Sequence, residues 1–268
     1  MRQTLLYLCI ISLSIIVSCC DTHKSYRIET TSVAIDSLQQ IELVSDSFVK
    51  PILYSKVIGL GFLPIQKAKA TFISAVLPSI LIARHHVDEN KRRVLYLMKI
   101  DTWKRADSVF YQDLTMRYKA NNIDDLYVRM ITLPNSIVLA QAAVESGWGQ
   151  SRFFLEGSNL FGVWSFNHYE SRIAAAKTRN KKNIYLRSYN DMSESIVHYF
   201  EILGKARPYS PLRIVRQNTD NPFLLLPHLK NFSERRMLYI RQLRKIIDLN
   251  NLTRYDHYQI SPEYIHEN

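Results

Sequence analysis

The chain is 268 residues long, carries a formal charge of +11 and is 47% hydrophobic. That length accommodates one sizeable domain, or a core domain with an extension. The three cysteines, Cys9, Cys19 and Cys20, all stand at the start, so nothing beyond them remains for a disulfide framework, a zinc site or a cysteine nucleophile.

Residues 1–18 read as a lipoprotein signal peptide. Arg2 is the charged start, and Leu5–Val17 is an apolar run too short for a comfortable membrane span. Ile16-Val17-Ser18-Cys19 resembles a bacterial lipobox, which implies that Cys19 is acylated and becomes the first residue after cleavage. Cys20 is the alternative, but it would put Cys19 where a small uncharged residue is preferred. An uncut membrane anchor is the competing reading. Residues 19–47 are polar and rich in Ser and Thr and read as a tether, with a short strand or helix expected over Ser32–Val44.

Residues 48–120 read as a helical N-terminal extension. Two helices are expected at Gln66–Leu77 and Pro78–Leu97, the proline opening the second. A third follows at Asp101–Lys119, where Trp103, Ala106, Phe110, Leu114 and Tyr118 recur at spacings of three and four, an aromatic stripe that reads as core. His85 and His86 are adjacent and point in different directions on a helix, so no metal site is expected from them.

Two basic clusters, Lys177–Lys182 and Arg235–Lys245, raise the question of nucleic acid. No helix-turn-helix, zinc-finger or RNA-binding signature accompanies them, and a secretion signal removes the chain from chromosomal DNA. The reading is no nucleic-acid partner. The positive charge instead fits an anionic envelope polymer or a membrane surface.

Asp124–Thr132 reads as a short helix leading into Leu133–Phe166, the most informative stretch. Pro134 sits where a first-turn proline is tolerated. Asn135–Ser146 runs without a breaker, and Gly147 is placed to end it in a left-handed cap. Apolar residues cover nearly the whole circumference, so the helix is expected to be buried on most sides. Glu145 interrupts it in the last turn, where the negative end of the helix dipole and the apolar surroundings both raise a carboxyl pKa. An acid that keeps its proton near neutrality is what protonation of a glycosidic oxygen requires. The competing reading is a helix-end acid paired with Arg152. Trp148, Phe161 and Trp164 follow, offering flat faces on which a sugar ring can stack, with Asn159 and Gly162 between them.

AQAAVESGWGQSRF followed by GSNLFGVW resembles the β-N-acetylglucosaminidase family of FlgJ-type and Bax-type peptidoglycan hydrolases. The resemblance spans roughly Ile123–Asn250 and is dense in Ala140–Trp164. It implies a mainly α (α+β) fold: a lysozyme-like helical domain over 121–250 with a small β-hairpin lobe, and no metal or organic cofactor. It also implies Glu145 as general acid, with Trp148, Asn159, Phe161, Gly162, Trp164, Tyr189 and Tyr239 as substrate-binding residues.

After Trp164, Phe166–Ala176 reads as irregular, Lys177–Asn183 as a basic turn and Ile184–Tyr189 as a strand. Asp191–Leu203 reads as a helix capped by Ser193. Many family members carry a second acid on the hairpin, and Tyr185 stands in its place here. That leaves three routes: the substrate N-acetyl group acting as nucleophile, another acid swinging in, or a slow enzyme. Further on, Ser233 is the expected cap of a last helix with Met237, Ile240, Leu243, Ile246 and Ile247 on one face. Phe232 replaces one candidate cleft tyrosine and Tyr239 remains as another. Residues 251–268 read as a polar tail.

These readings combine into a peptidoglycan hydrolase cleaving the β-1,4 bond after N-acetylglucosamine, held by lipid to a membrane of the bacterial cell envelope and facing the periplasm. Its partners would be glycan strands and that membrane. A lytic transglycosylase is the alternative of the same chemistry, although SNLFGVW is not the sequence typical there. A catalytically weak wall-binding lipoprotein is the alternative of a different class.

Overall fold

The computed structural model describes residues 24–179 and 182–268. The signal peptide, Cys19 and the centre of the basic turn lie outside the described residues. The described residues open with four short strands, β1 (Tyr26–Ile28), β2 (Thr31–Ala34), β3 (Phe48–Val49) and β4 (Ile52–Ser55), and continue into α1 (Ile65–Leu97), α2 (Arg105–Tyr118), α3 (Ile123–Arg129), α4 (Asn135–Ser146) and α5 (Arg152–Gly157). A hairpin follows, β5 (Arg172–Arg179) and β6 (Lys182–Arg187). The remaining elements are α6 (Met192–Lys205), α7 (Ser210–Arg216), α8 (Pro222–Leu225), α9 (Met237–Leu249), β7 (Gln259–Ile260) and β8 (Ile265–Glu267), joined by 3-10 turns. The fold is mainly α with small two-stranded sheets, as expected from the sequence.

α1 is one helix rather than two, and it runs through Pro78. A mid-helix proline forfeits one backbone hydrogen bond and costs about 3 kcal/mol. Around it Phe72, Val76, Leu77 and Ile80 are fully buried, and each such side chain gains about 1.5–3 kcal/mol on leaving water. Packing therefore overrides the local signal. By length and composition α1 could cross a bilayer, but 72% of its apolar window is buried inside the protein, where it forms the central rod of the core. α4 and α6 pack against it, and α9 packs against α4.

The tether expected over 19–47 is corrected from Lys24 onward, because this segment belongs to the fold. β1 pairs antiparallel with β8, β2 parallel with β4, and β3 parallel with β7. Ile35 and Ile41 are buried, and the Ser74 hydroxyl on α1 accepts the Val44 N–H at 3.0 Å. The polar tail expected over 251–268 is corrected likewise. It supplies β7 and β8 and buries Leu252, Tyr255 and Ile260. Scattered single apolar residues among polar ones give no periodic signal, yet Ile35, Ile41, Leu252, Tyr255 and Ile260 all join the core.

The hairpin is longer than its sequence signal. β5 begins at Arg172 inside the stretch expected to be irregular, and pairs Ile173 with Leu186 and Ala174 with Tyr185. The loop before it adds a third edge: Arg187 N–H donates to Val163 O at 2.9 Å, Ser165 N–H donates to Tyr185 O at 2.8 Å, and Trp164 bridges Leu186. α6 is capped by Asp191 rather than Ser193, its carboxylate accepting the N–H groups of Ser193 (2.7 Å) and Glu194 (3.1 Å). The ionised side chain is the stronger acceptor for a helix N-terminus.

Candidate active site

α4 is fixed at both ends. Pro134 offers no side-chain cap. The cap comes from the C-terminal segment, where Asp256 accepts the Ser136 N–H at 2.7 Å and the Ser136 hydroxyl at 2.8 Å. Asn135, fully buried, donates to Tyr255 O at 2.6 Å and accepts from Arg84 at 2.7 Å. At the other end Gly147 takes φ 60° and closes the helix in the left-handed cap read from the sequence. Two residues later Gly149, at φ 78°, lies so close to α1 and the turn before it that a Cβ would stand 2.7 Å from Leu60 and 3.0 Å from Phe72. The glycine serves core packing beside the site.

Glu145 thus stands in the last turn of a helix tied down at both ends. Burial pushes its carboxyl pKa up, opposed by a hydrogen bond from Tyr239 and by the charge of Arg235. The Arg152 pairing does not form: Arg152 bonds Glu156 at 3.2 Å and the carbonyl of Ala174. One turn before Glu145, Gln141 is fully buried. Its Nε2 donates to the Tyr239 hydroxyl at 3.1 Å, and its Oε1 accepts from the Tyr199 hydroxyl at 2.5 Å. The result is a directed chain from Tyr199 through Gln141 to Tyr239, whose hydroxyl faces Glu145. Phe161 stacks on Tyr199 at 4.3 Å between ring centroids, and Phe232 lies parallel to Tyr239 at 6.0 Å.

The expected substrate-binding residues divide accordingly. Tyr239 and Phe161 join the buried network around Glu145. Gly162 has φ 64° and open space where a Cβ would be, and Trp164, next on the same loop, is 42% exposed, with Phe166 beside it at 6.1 Å. Asn159 is buried and committed: it donates to Val163 O (3.0 Å) and Arg187 O (2.8 Å) and accepts the Val163 N–H (3.0 Å). It ties this loop to the hairpin and leaves no N–H for a sugar. Trp148 packs edge-on against Phe72 at 5.5 Å beneath Lys69, so its face is turned to α1. Tyr189 is buried against α6 with its hydroxyl on His198 Nδ1 at 2.8 Å. Tyr185 lies under the Arg172 guanidinium at 4.0 Å, and Glu170 pairs with Arg187 at 3.3 Å. Among the described residues no group of three or more His, Cys, Asp or Glu side chains is placed to hold a metal ion.

Residues 122–252 match the family model described as Glucosaminidase, mannosyl-glycoprotein endo-beta-N-acetylglucosaminidase. Over this segment the chain is similar to the glucosaminidase family. Protein bax of Escherichia coli (strain K12) is 28% identical over 103 residues, which span 35% of this chain and 38% of that protein. The chain therefore matches well under half the length of that relative. Among solved structures, the catalytic domain of the autolysin Auto from Listeria monocytogenes aligns with TM-score 0.39 and 20% identity, over 62% of this chain and 96% of that one. A C-terminally truncated glycoside hydrolase domain of FlgJ from Salmonella typhimurium aligns with TM-score 0.36 and 23% identity, over 52% and 96%.

Within the matched segment, Gln141 and Tyr199 are the site residues that reading the sequence missed. Gln141 carried a signal, since it is a polar side chain in an apolar helix four residues before Glu145 and so on the same face. Tyr199 looked like any buried aromatic of α6.

Proposed function

We propose that the glucosaminidase domain hydrolyses the β-1,4 bond following N-acetylglucosamine in peptidoglycan, with Glu145 as general acid. The observation that carries this reading is Glu145 itself: a carboxyl at a rigid helix end, its pKa raised by burial, oriented by Tyr239. In its protonated form it gives its proton to the leaving glycosidic oxygen as the C1–O bond breaks. The groups acting on Glu145 are Tyr239 and Arg235, and neither is a carboxylate. Glu170, held by Arg187, and Tyr185, under Arg172, give no support to a hairpin base. A single-acid route follows, in which the substrate acetamido oxygen attacks C1, water then opens the cyclic intermediate, and the water's proton returns to Glu145. Trp164, on the loop that Asn159 ties to the hairpin, would present its exposed face to a sugar ring. In this reading the protein works in the bacterial cell envelope, joined to a membrane by lipid on Cys19.

Mass spectrometry of muropeptides released by the protein tests the reading. New reducing-end N-acetylglucosamine is the expected product. Anhydro-muramic ends would replace it with a lytic transglycosylase, and no released product would leave a wall-binding protein.

A further inference from the structure

α6 has two working faces. Tyr199 and Leu203 point into the core, and Tyr199 reaches the Glu145 network. The opposite face, with Glu194, Val197, His198, Glu201 and Lys205, lines a second cleft of about 750 Å³. That volume lies within the roughly 300–1,000 Å³ of small-ligand sites. The facing wall comes from Ile82 and Ala83 on α1 and from the end of α2 with Arg117 and Lys119. Both helices precede residue 122, so the cleft exists only because the N-terminal segment packs on the glucosaminidase domain.

Its charges are unequally matched. Arg117 is committed to Glu201, with Nε at 2.9 Å, and to Asp113 at 3.3 Å. Arg187 is shared with Glu170. Glu194 accepts from Asn190 N–H and Nδ2 at 3.0 and 2.8 Å. Lys119 and Lys205, in contrast, form no ion pair with any described residue. Burial pushes the Lys205 pKa down; Glu201 opposes this, while Lys119, Arg187 and Arg117 add to it. Burial, then Lys205, Arg187 and Arg117, hold His198 down to about 3, so it faces the cleft as a neutral ring. Unpaired like charges converging in a concave, partly desolvated site favour an entering anion.

The remaining wall says which anion. A phosphate dianion would meet the carboxylates of Glu194 and Glu201. A peptide carboxylate carries one charge, its N–H groups suit those same acceptors, and small side chains suit the apolar floor of Ile82, Ala83 and Val197. We propose that the cleft between α1, α2 and α6 binds a short acidic peptide, with a carboxylate held between Lys119 and Lys205. Peptides branching from glycan strands are ligands of this chemistry if the proposed function holds, but the site does not use Glu145.

Titration of the full-length protein with the tripeptide Ala-Glu-Ala, followed by calorimetry and by the His198 imidazole resonances, tests this. Saturable binding is expected, weakened by salt, at least tenfold weaker in the Lys119→Gln/Lys205→Gln double variant and weaker in Lys205→Gln alone. A fully amidated Ala-Gln-Ala should not bind. No saturable binding, or binding unchanged in the double variant while its thermal unfolding matches the parent, overturns the proposal. Saturable binding of inorganic phosphate without binding of the peptide overturns it as well. Glu145→Gln should bind the peptide like the parent, so failure of the hydrolase reading and failure of this one give separate results.

Discussion

The hydroxyl of Tyr239, on α9, faces the carboxyl of Glu145 at the end of α4 and opposes the upward push of burial on its pKa. The acid is held between two influences, and both can be removed by single substitutions.

Glu145→Gln keeps size and polarity but has no proton to give. Positioned acid catalysis contributes about a hundred- to ten-thousand-fold, so peptidoglycan hydrolysis by this variant should fall below detection. Its stability should not fall with it. A carboxyl whose folded pKa lies above its ordinary 4.5 destabilises the fold when charged, and this cost appears as pH rises from the ordinary value through the folded one. Thermal unfolding at pH 7 should show the variant equal to or more stable than the parent, with the difference vanishing below the ordinary value. A folded variant that hydrolyses near the parent rate would remove Glu145 from the mechanism.

Tyr239→Phe deletes the hydrogen bond that favours the charged carboxylate. The Glu145 pKa should rise further, and the alkaline limb of the pH–activity profile should move to higher pH. The buried Gln141 Nε2 loses its acceptor, which costs about 1–3 kcal/mol and can be read from denaturant midpoints. Tyr199→Phe is the control: it destabilises through Gln141 but should leave the alkaline limb in place. Equal shifts in the two variants would contradict the directed chain.

Asp256→Ala removes the cap of α4 from outside the helix. Loss of an N-cap costs about 0.5–2 kcal/mol, and the denaturant midpoint should fall accordingly, with hydrolysis reduced because Glu145 rides on the same helix. An unchanged midpoint would return residues 251–268 to the status of a tail.

Cys19→Ala should abolish fatty-acid labelling and leave uncleaved precursor, while Cys20→Ala should do neither. Labelling that follows Cys20 instead would move the anchor by one residue, and indifference to both would remove it.

α4, its left-handed cap and the acid in its last turn were legible in the sequence because they are local: a breaker-free apolar run, a glycine and one ionisable residue. The hairpin was half legible. Ile184–Arg187 has the β-branched and aromatic residues of a strand, whereas Arg172–Arg179 is alanine-rich and becomes a strand only by pairing with β6. Pro78 was misleading because its punctuating effect is local and the burial that overrides it is not. Asp256 over Ser136 spans 120 residues and rests on one acidic side chain, so no pattern in the chain marks it. Asn159 and Trp148 were legible as motif residues but their intramolecular contacts were not, since sequence spacing does not say which way a side chain faces.

The pairing of β1 with β8 sets a short leash. Cys19 lies five residues before Lys24, the first described residue, and five residues extend at most roughly 18 Å. A lipid on Cys19 would therefore keep the whole body, including the segment that caps α4, close against the bilayer. The depth of wall that Trp164 and Glu145 reach would then be set by that leash together with the size of the body. Lengthening the stretch between Cys19 and Lys24 would then widen the depth of wall the protein can cut without altering any residue of its site.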